Sequence, residues 1–187
     1  KYFTFSLASS RKVTIDLQSS QDTYLYLLNG STQTGSVIAE NDDIVSGDTW
    51  YAAPAWTPHR FREIGFSNNY VDNFSDLVFD VDGDRLADVI TSSADGYGIW
   101  WYRQVRAGDR TRWEQRLIDD SWTQAHSLAL GDLNGDGTAD LVTGTRFMAH
   151  NGGDPDAFGK LCVYWYELRR GPQPQWTRHV VSYDEGI

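Results

Sequence analysis

Two stretches decide the fold: Phe79-Asp80-Val81-Asp82-Gly83-Asp84-Arg85-Leu86-Ala87-Asp88-Val89-Ile90 and Gly131-Asp132-Leu133-Asn134-Gly135-Asp136-Gly137-Thr138-Ala139-Asp140-Leu141-Val142. Each sets oxygen-bearing side chains at loop positions 1, 3, 5 and 9, tightens the loop with glycine at position 4, and runs into an aliphatic, strand-like segment. In the first, Asp80, Asp82, Asp84 and Asp88 crowd their carboxylates into nine residues. A pair of such charges about 5 Å apart in water repels by roughly 0.8 kcal/mol, and by more once partly desolvated. A bound cation removes that repulsion. Side-chain oxygens at 1, 3 and 5, a backbone carbonyl at 7 and a carboxylate at 9 suit the six to eight oxygen ligands of Ca²⁺. The expected sets are Asp80, Asp82, Asp84, the Leu86 carbonyl and Asp88, then Asp132, Asn134, Asp136, the Thr138 carbonyl and Asp140, making two Ca²⁺ sites. An EF-hand is excluded, because it needs a bidentate Glu at position 12 and flanking helices, whereas Thr91 and Thr143 stand there within β-branched runs.

Outward from the loops the chain repeats itself. The two loops are offset by 132 − 80 = 52 residues, close to the period of about 40–50 of propeller blades with a short insertion. Three Trp-Tyr segments, Thr49-Trp50-Tyr51, Ile99-Trp100-Trp101-Tyr102 and Val163-Tyr164-Trp165-Tyr166-Glu167, are each followed by a polar turn and a second strand opened by Trp56, Trp113 or Trp176. Each therefore reads as an antiparallel hairpin.

The loop-plus-strand pattern D-x-[DN]-G-D-x-x-A-D resembles the FG-GAP and VCBS repeats of extracellular β-propellers. The resemblance spans about residues 48–187 and implies the end of one blade at 48–66, a blade at 67–119 and another at 120–187. Residues 1–47 read instead as short alternating strands, Tyr2 to Leu7, Lys12 to Leu17, Thr23 to Leu28 and Ser36 to Ala39. Here Y-F-T-F-S-L, V-T-I-D-L-Q-S-S-Q-D-T-Y-L-Y-L-L-N-G-S and G-S-V-I-A-E-N-D-D-I resemble the bacterial pre-peptidase C-terminal domain over about residues 1–45, which implies a secreted β-sandwich, incomplete in this chain. The expected fold is all-β: propeller blades with Asp-rich calcium loops, preceded by an antiparallel sandwich-like segment. Propellers close with about four to eight blades. Open strand edges and blade faces bearing Trp101, Tyr102, Trp165 and Tyr166 are therefore expected to be covered by further strands of a longer chain, an oligomer or a fibre.

Sixteen Lys and Arg against 26 Asp and Glu give a net charge of −10, and no basic run interrupts this balance. Nucleic acid is excluded as a partner, since phosphate binding needs clustered cations. No apolar run approaches the roughly 18–20 residues of a membrane span. A single cysteine, Cys162, precludes an intrachain disulfide and a Cys-rich zinc site.

Among other chemistry-bearing residues, His59 and His179 stand in W-x-x-H strands whose middle copy carries Arg116, a variation that suits packing better than ligation. His126, before the second loop, and Arg146 and His150, at an insertion with Asp154 and Asp156, are the catalytic candidates. They form no triad, H-E-x-x-H motif or nucleophile elbow. The Trp-Tyr clusters suit packing between blades, and alternatively the stacking of sugars. Asn29 and Asn73 lie in N-x-[ST] sequons. The leading functional expectation is a secreted or surface adhesion, carbohydrate-binding or assembly module with carbohydrate or protein partners. The alternative is the scaffold of a carbohydrate-active lyase or dehydratase.

Overall fold

From Ser75 onward, apolar side chains alternating with polar ones and broken by Asp-Gly turns build two antiparallel meanders of four strands. The computed structural model describes residues 44–185 apart from 53, 54, 68, 69, 94–96 and 109. The first meander runs β6 (Ser75–Phe79), β7 (Asp88–Ser92), β8 (Tyr97–Ala107) and β9 (Arg110–Thr123), hydrogen-bonded in that order. The second runs β10 (Ala125–Gly131), β11 (Asp140–Thr145), β12 (Val163–Arg169) and β13 (Gln175–Ser182). Before them come a three-stranded sheet, β1 (Ile44–Ser46), β2 (Thr49–Ala52) and β3 (Thr57–Arg60), and a short hairpin of β4 (Phe66–Ser67) with β5 (Tyr70–Val71). The all-β expectation holds. The strands expected between Tyr2 and Ala39, like nearly all of the pre-peptidase resemblance, lie outside the described residues. The division placed after residue 47 falls in the β1–β2 turn, and β9 continues past residue 119 to Thr123.

Register shows why the Trp-containing strands recur. Trp50 pairs across its hairpin with His59, Trp101 with Arg116 and Trp165 with His179. Each cation-capable side chain lies against the opposite indole: ring centroids are 5.0 Å apart for Trp50–His59 and 4.2 Å for Trp165–His179, and the Arg116 guanidinium carbon sits 5.0 Å from the Trp101 ring. Arg and His are interchangeable here because both stack on an indole face.

The two meanders share a core. Phe79, Val81, Ile90, Ile99 and Trp101 from the first pack with Leu128, Leu141, Tyr164, Tyr166 and Leu168 from the second. β7 is buried at all five positions, as expected of a strand covered on both faces. Trp101 and Tyr166 are only 3% and 2% exposed, so for these two rings each meander supplies the other's cover; Tyr102 and Trp165, expected beside them on open faces, are half-buried. Polar contacts join the sheets as well. The Trp122 indole N–H donates to the Tyr166 hydroxyl (2.8 Å), which donates to Asp119 (2.7 Å). Burial, followed by this bond to Asp119, pushes the Tyr166 phenol far above its ordinary range. No helix among the described residues is long and apolar enough to cross a membrane.

Candidate metal centre

Both acidic loops sit between the first and second strands of their meanders, 80–87 between β6 and β7 and 132–139 between β10 and β11. Their backbones turn alike. Position 4 has positive φ in each, 84° at Gly83 and 79° at Gly135, and so does position 6, 70° at Arg85 and 85° at Gly137. A non-glycine residue thus holds a left-handed conformation in the first loop only.

The loops are wired by their own carboxylates. Asp80 accepts from the Gly83 N–H (2.8 Å) and the Arg85 N–H (3.0 Å), Asp82 from the Asp84 N–H (3.1 Å), and Asp84 from the Leu86 N–H (2.9 Å). In the second loop Asp132 accepts from the N–H groups of Gly135, Asp136 and Gly137, Asn134 from Asp136, and Asp136 from Thr138. The ninth position differs from the rest. Asp88 and Asp140 are fully buried, at 0% exposure. Asp88 accepts from the N–H of Val81 (3.1 Å) and, across the sheet, of Gln104 (2.8 Å). Asp140 does the same with Leu133 (3.1 Å) and Leu168 (3.0 Å). This carboxylate therefore clamps the loop start to the third strand, a role that ligand spacing alone does not reveal.

Electrostatically the loops diverge. Asp80, Asp82 and Asp88 are all buried, and one oxygen of each lies within 4.8 Å of the others. Burial pushes the Asp88 carboxyl up to about 7, against the lowering effect of its two backbone hydrogen bonds; the Trp101 indole N–H, which completes no hydrogen bond, acts in the same direction as those bonds, while Asp82 adds repulsion. Asp84, at position 5, is exposed. Leu86, at position 7 of the first loop, is half-buried, and so is its counterpart Thr138. At the second loop Asp132, Asn134 and Asp136 are exposed, and no such group of three acids forms there among the described residues. An all-oxygen donor set of buried carboxylates, one with its ionisation suppressed, fits a hard divalent cation.

Sequence reasoning missed the first loop's internal cation. Arg103 on β8 donates through Nε to Asp82 Oδ2 (2.5 Å) and through Nη2 to Asp84 Oδ2 (3.1 Å). The equivalent position in the second meander is Glu167, paired with His179 at 2.9 Å. The available signal was Arg against Glu immediately after the two Trp-Tyr pairs. Also missed was the ion pair joining the first small sheet to β6. The Arg62 and Asp76 side chains are 3% and 7% exposed and meet at 2.8 Å, with Asn73 bonded to both. The half-buried Asn73 amide, which stands in the sequon, is thereby engaged through both its oxygen and its nitrogen. Asn29 lies outside the described residues.

The catalytic candidates are placed as follows. His126 packs on the Phe74 ring at 4.4 Å, and the Arg146 guanidinium approaches the same ring at 5.7 Å. Phe74 thus brings these two together. His150 lies on a 3-10 turn, Ala149–Gly152, in the connection from β11 to β12. Asp154 in that connection is buried and Asp156 exposed.

Two loops of the same backbone, each closed by a buried Asp onto the third strand of a four-stranded meander, define a repeat in three dimensions. Residues 80–143 match the family model of the FG-GAP-like repeat. The match starts at the first ligand-position Asp of one loop and ends on β11, beyond the other loop, so the FG-GAP-like repeat takes in both loops and most of the shared core. Its fold is of the β-propeller type, in agreement with the two meanders. No curated protein and no solved structure gives a significant match.

Proposed function

We propose that this chain is a calcium-stabilised binding or adhesion module displayed outside the cell or on its surface, with carbohydrate or protein partners. The observation that carries the reading is the buried Asp80-Asp82-Asp88 group within the FG-GAP-like repeat. Such loops are compatible with a role in which rigid blades present a surface. In the first site Asp80, Asp82, Asp84, the Leu86 carbonyl and Asp88 hold the ion; in the second, Asp132, Asn134, Asp136, the Thr138 carbonyl and Asp140 do so. The second set has one fewer charge and is exposed at Asp132, Asn134 and Asp136, which suits the weak sites of extracellular modules, where Ca²⁺ is abundant. The outer edge of β13, with Val180 and Val181 at 46% and 58% exposure, is completed by further strands of a longer chain or a neighbouring copy.

Thermal melts in Ca²⁺ and in chelator test the reading. Two filled sites change the net charge from −10 to −10 + 4 = −6, and each adds about 2.7 kcal/mol at a hundredfold excess over its dissociation constant. Coincident melting curves would overturn it. Equal responses to Mg²⁺ would overturn the assignment to calcium, since Mg²⁺ demands a tighter octahedral site.

A further inference from the structure

A cleft of about 170 Å³ opens between the segment 62–65 and the face of the first meander. It has room for about six waters of liquid volume, the scale of one ring-sized ligand rather than a chain. Strand register organises its wall. Thr91 on β7 stands opposite Trp100 on β8, and Tyr102, two residues along the same face, stands opposite Gln115 on β9. All four line the cleft, and Asp72, Asn73 and Ser93 complete its rim.

Three features suit this wall to a ligand. First, its aromatic groups are held in place. Gly98 has φ of 124°, and a Cβ there would overlap the indole nitrogen of Trp100 and stand 3.0 Å from Cε2. Only glycine therefore lets the indole lie where it does. Tyr102 is fixed edge-on by Phe61, with centroids 5.7 Å apart. Second, its supporting polar groups are already satisfied. Thr91 donates to Asn73 (2.7 Å), which also receives Arg62 (2.9 Å), and Ser93 donates to Asp72 (2.7 Å). The rim is thus pre-organised and needs no rearrangement on binding. Third, among the described residues no hydrogen bond within the chain engages the Trp100 indole N–H, the Tyr102 hydroxyl or the Gln115 amide. With the buried Arg62 charge neutralised by Asp76 and the carboxylates of Glu63 and Asp72 on the rim opposing an anion, half-buried aromatic faces beside unengaged donors and acceptors match a ligand without negative charge that bears C–H faces and many hydroxyls.

Resting on the reading of the chain as a binding module, we infer that this cleft holds one neutral saccharide ring, stacked on Trp100 and hydrogen-bonded by Tyr102 and Gln115. The ring's apolar face covers the indole, and its hydroxyls exchange bonds with the phenol and the amide.

Saturation-transfer NMR of the full chain against glucose, galactose, mannose, fucose and N-acetylglucosamine tests this, in Ca²⁺ and with charged glucuronate as comparator. The expected result is transfer from at least one neutral sugar, lowered tenfold or more in affinity by Trp100→Ala and by Gln115→Ala, with glucuronate weaker. Gln115 is exposed, so its variant remains folded if the Trp100 variant does not. No transfer from any neutral sugar, transfer that survives Gln115→Ala in a folded protein, or preference for glucuronate overturns the inference. Melts in chelator address the metal loops separately: insensitivity to Ca²⁺ together with sugar binding would sink the calcium reading and leave the cleft standing.

Discussion

Arg103 stands where a metal ion would act, and replacing it with methionine separates the two cations' contributions. The Arg103→Met variant keeps most of the stem and removes the charge. In the wild type its guanidinium bonds to Asp82 at 2.5 Å and to Asp84 at 3.1 Å, with side-chain exposures of 24% for Arg103, 2% for Asp82 and 30% for Asp84. Removing one partner of a fully buried pair costs about 3–5 kcal/mol, whereas exposed pairs contribute about 0.2–1 kcal/mol. One buried and one half-exposed contact place the loss at about 2–3 kcal/mol in chelator, because Asp82 is left buried beside Asp80 and Asp88 without a cation. For a chain of this size that is a fall in Tm of about 4–12 °C. In saturating Ca²⁺ the ion compensates the same carboxylates, and the loss shrinks below about 1 kcal/mol. The gain from Ca²⁺ is then about 2 kcal/mol larger in the variant, a roughly thirtyfold rise in affinity at about 1.4 kcal/mol per factor of ten. Differential scanning calorimetry in chelator and in Ca²⁺, with calorimetric titration of the ion, measures both halves of the cycle. An equal fall in Tm under both conditions would refute the competition and leave Arg103 as an ordinary brace. Unchanged stability in chelator would show that Asp82 does not need it.

The shared loop backbone makes a reciprocal test: Arg85→Gly, at φ 70°, should raise stability by about 0.5–1 kcal/mol, and Gly137→Ala, at φ 85°, should lower it by about 1 kcal/mol or more, both read from urea denaturation. Arg62→Met leaves Asp76 buried and unpaired, so a loss of about 3–5 kcal/mol is expected, with Asp76→Asn partly restoring stability in the double variant. Burial alone would raise the Asp119 carboxyl, but the Ser121 hydroxyl and N–H, the Tyr166 hydroxyl and the Arg178 charge together hold it below its ordinary value. Its stabilising contribution is therefore complete above the unfolded carboxyl value of about 3.9 and is lost as pH falls through the folded value. Melts of wild type and Asp119→Asn from pH 7 to pH 3 should converge below about pH 4, and a constant gap would contradict the sign.

Much was legible in the chain because it depends on neighbours in sequence. The positions of Asp80, Asp82 and Gly83 prescribe a tight turn, since short carboxylates bond to backbone N–H groups a few residues on. Period-two alternation through Tyr164, Tyr166 and Leu168 prescribes a strand with one buried face. The twin spacing of the loops prescribes the repeat. What Asp88 and Asp140 do was only half readable: their place in the loop is local, while their bonds to Gln104 and Leu168 cross the sheet.

The sequence by itself determined the all-β class, the two acidic loops and the Trp hairpins, because turn chemistry and alternation act over fewer than about ten residues. Only the tertiary structure decided that Trp101 and Tyr166 are buried between meanders, that Asp80 and Asp82 are buried while their counterparts Asp132 and Asn134 are exposed, and that Arg103 faces Asp82. Those outcomes depend on which sheets pack together and on cross-strand register. A one-residue slip in register turns every side chain of a strand to the other face, and no local pattern records which neighbour covers it.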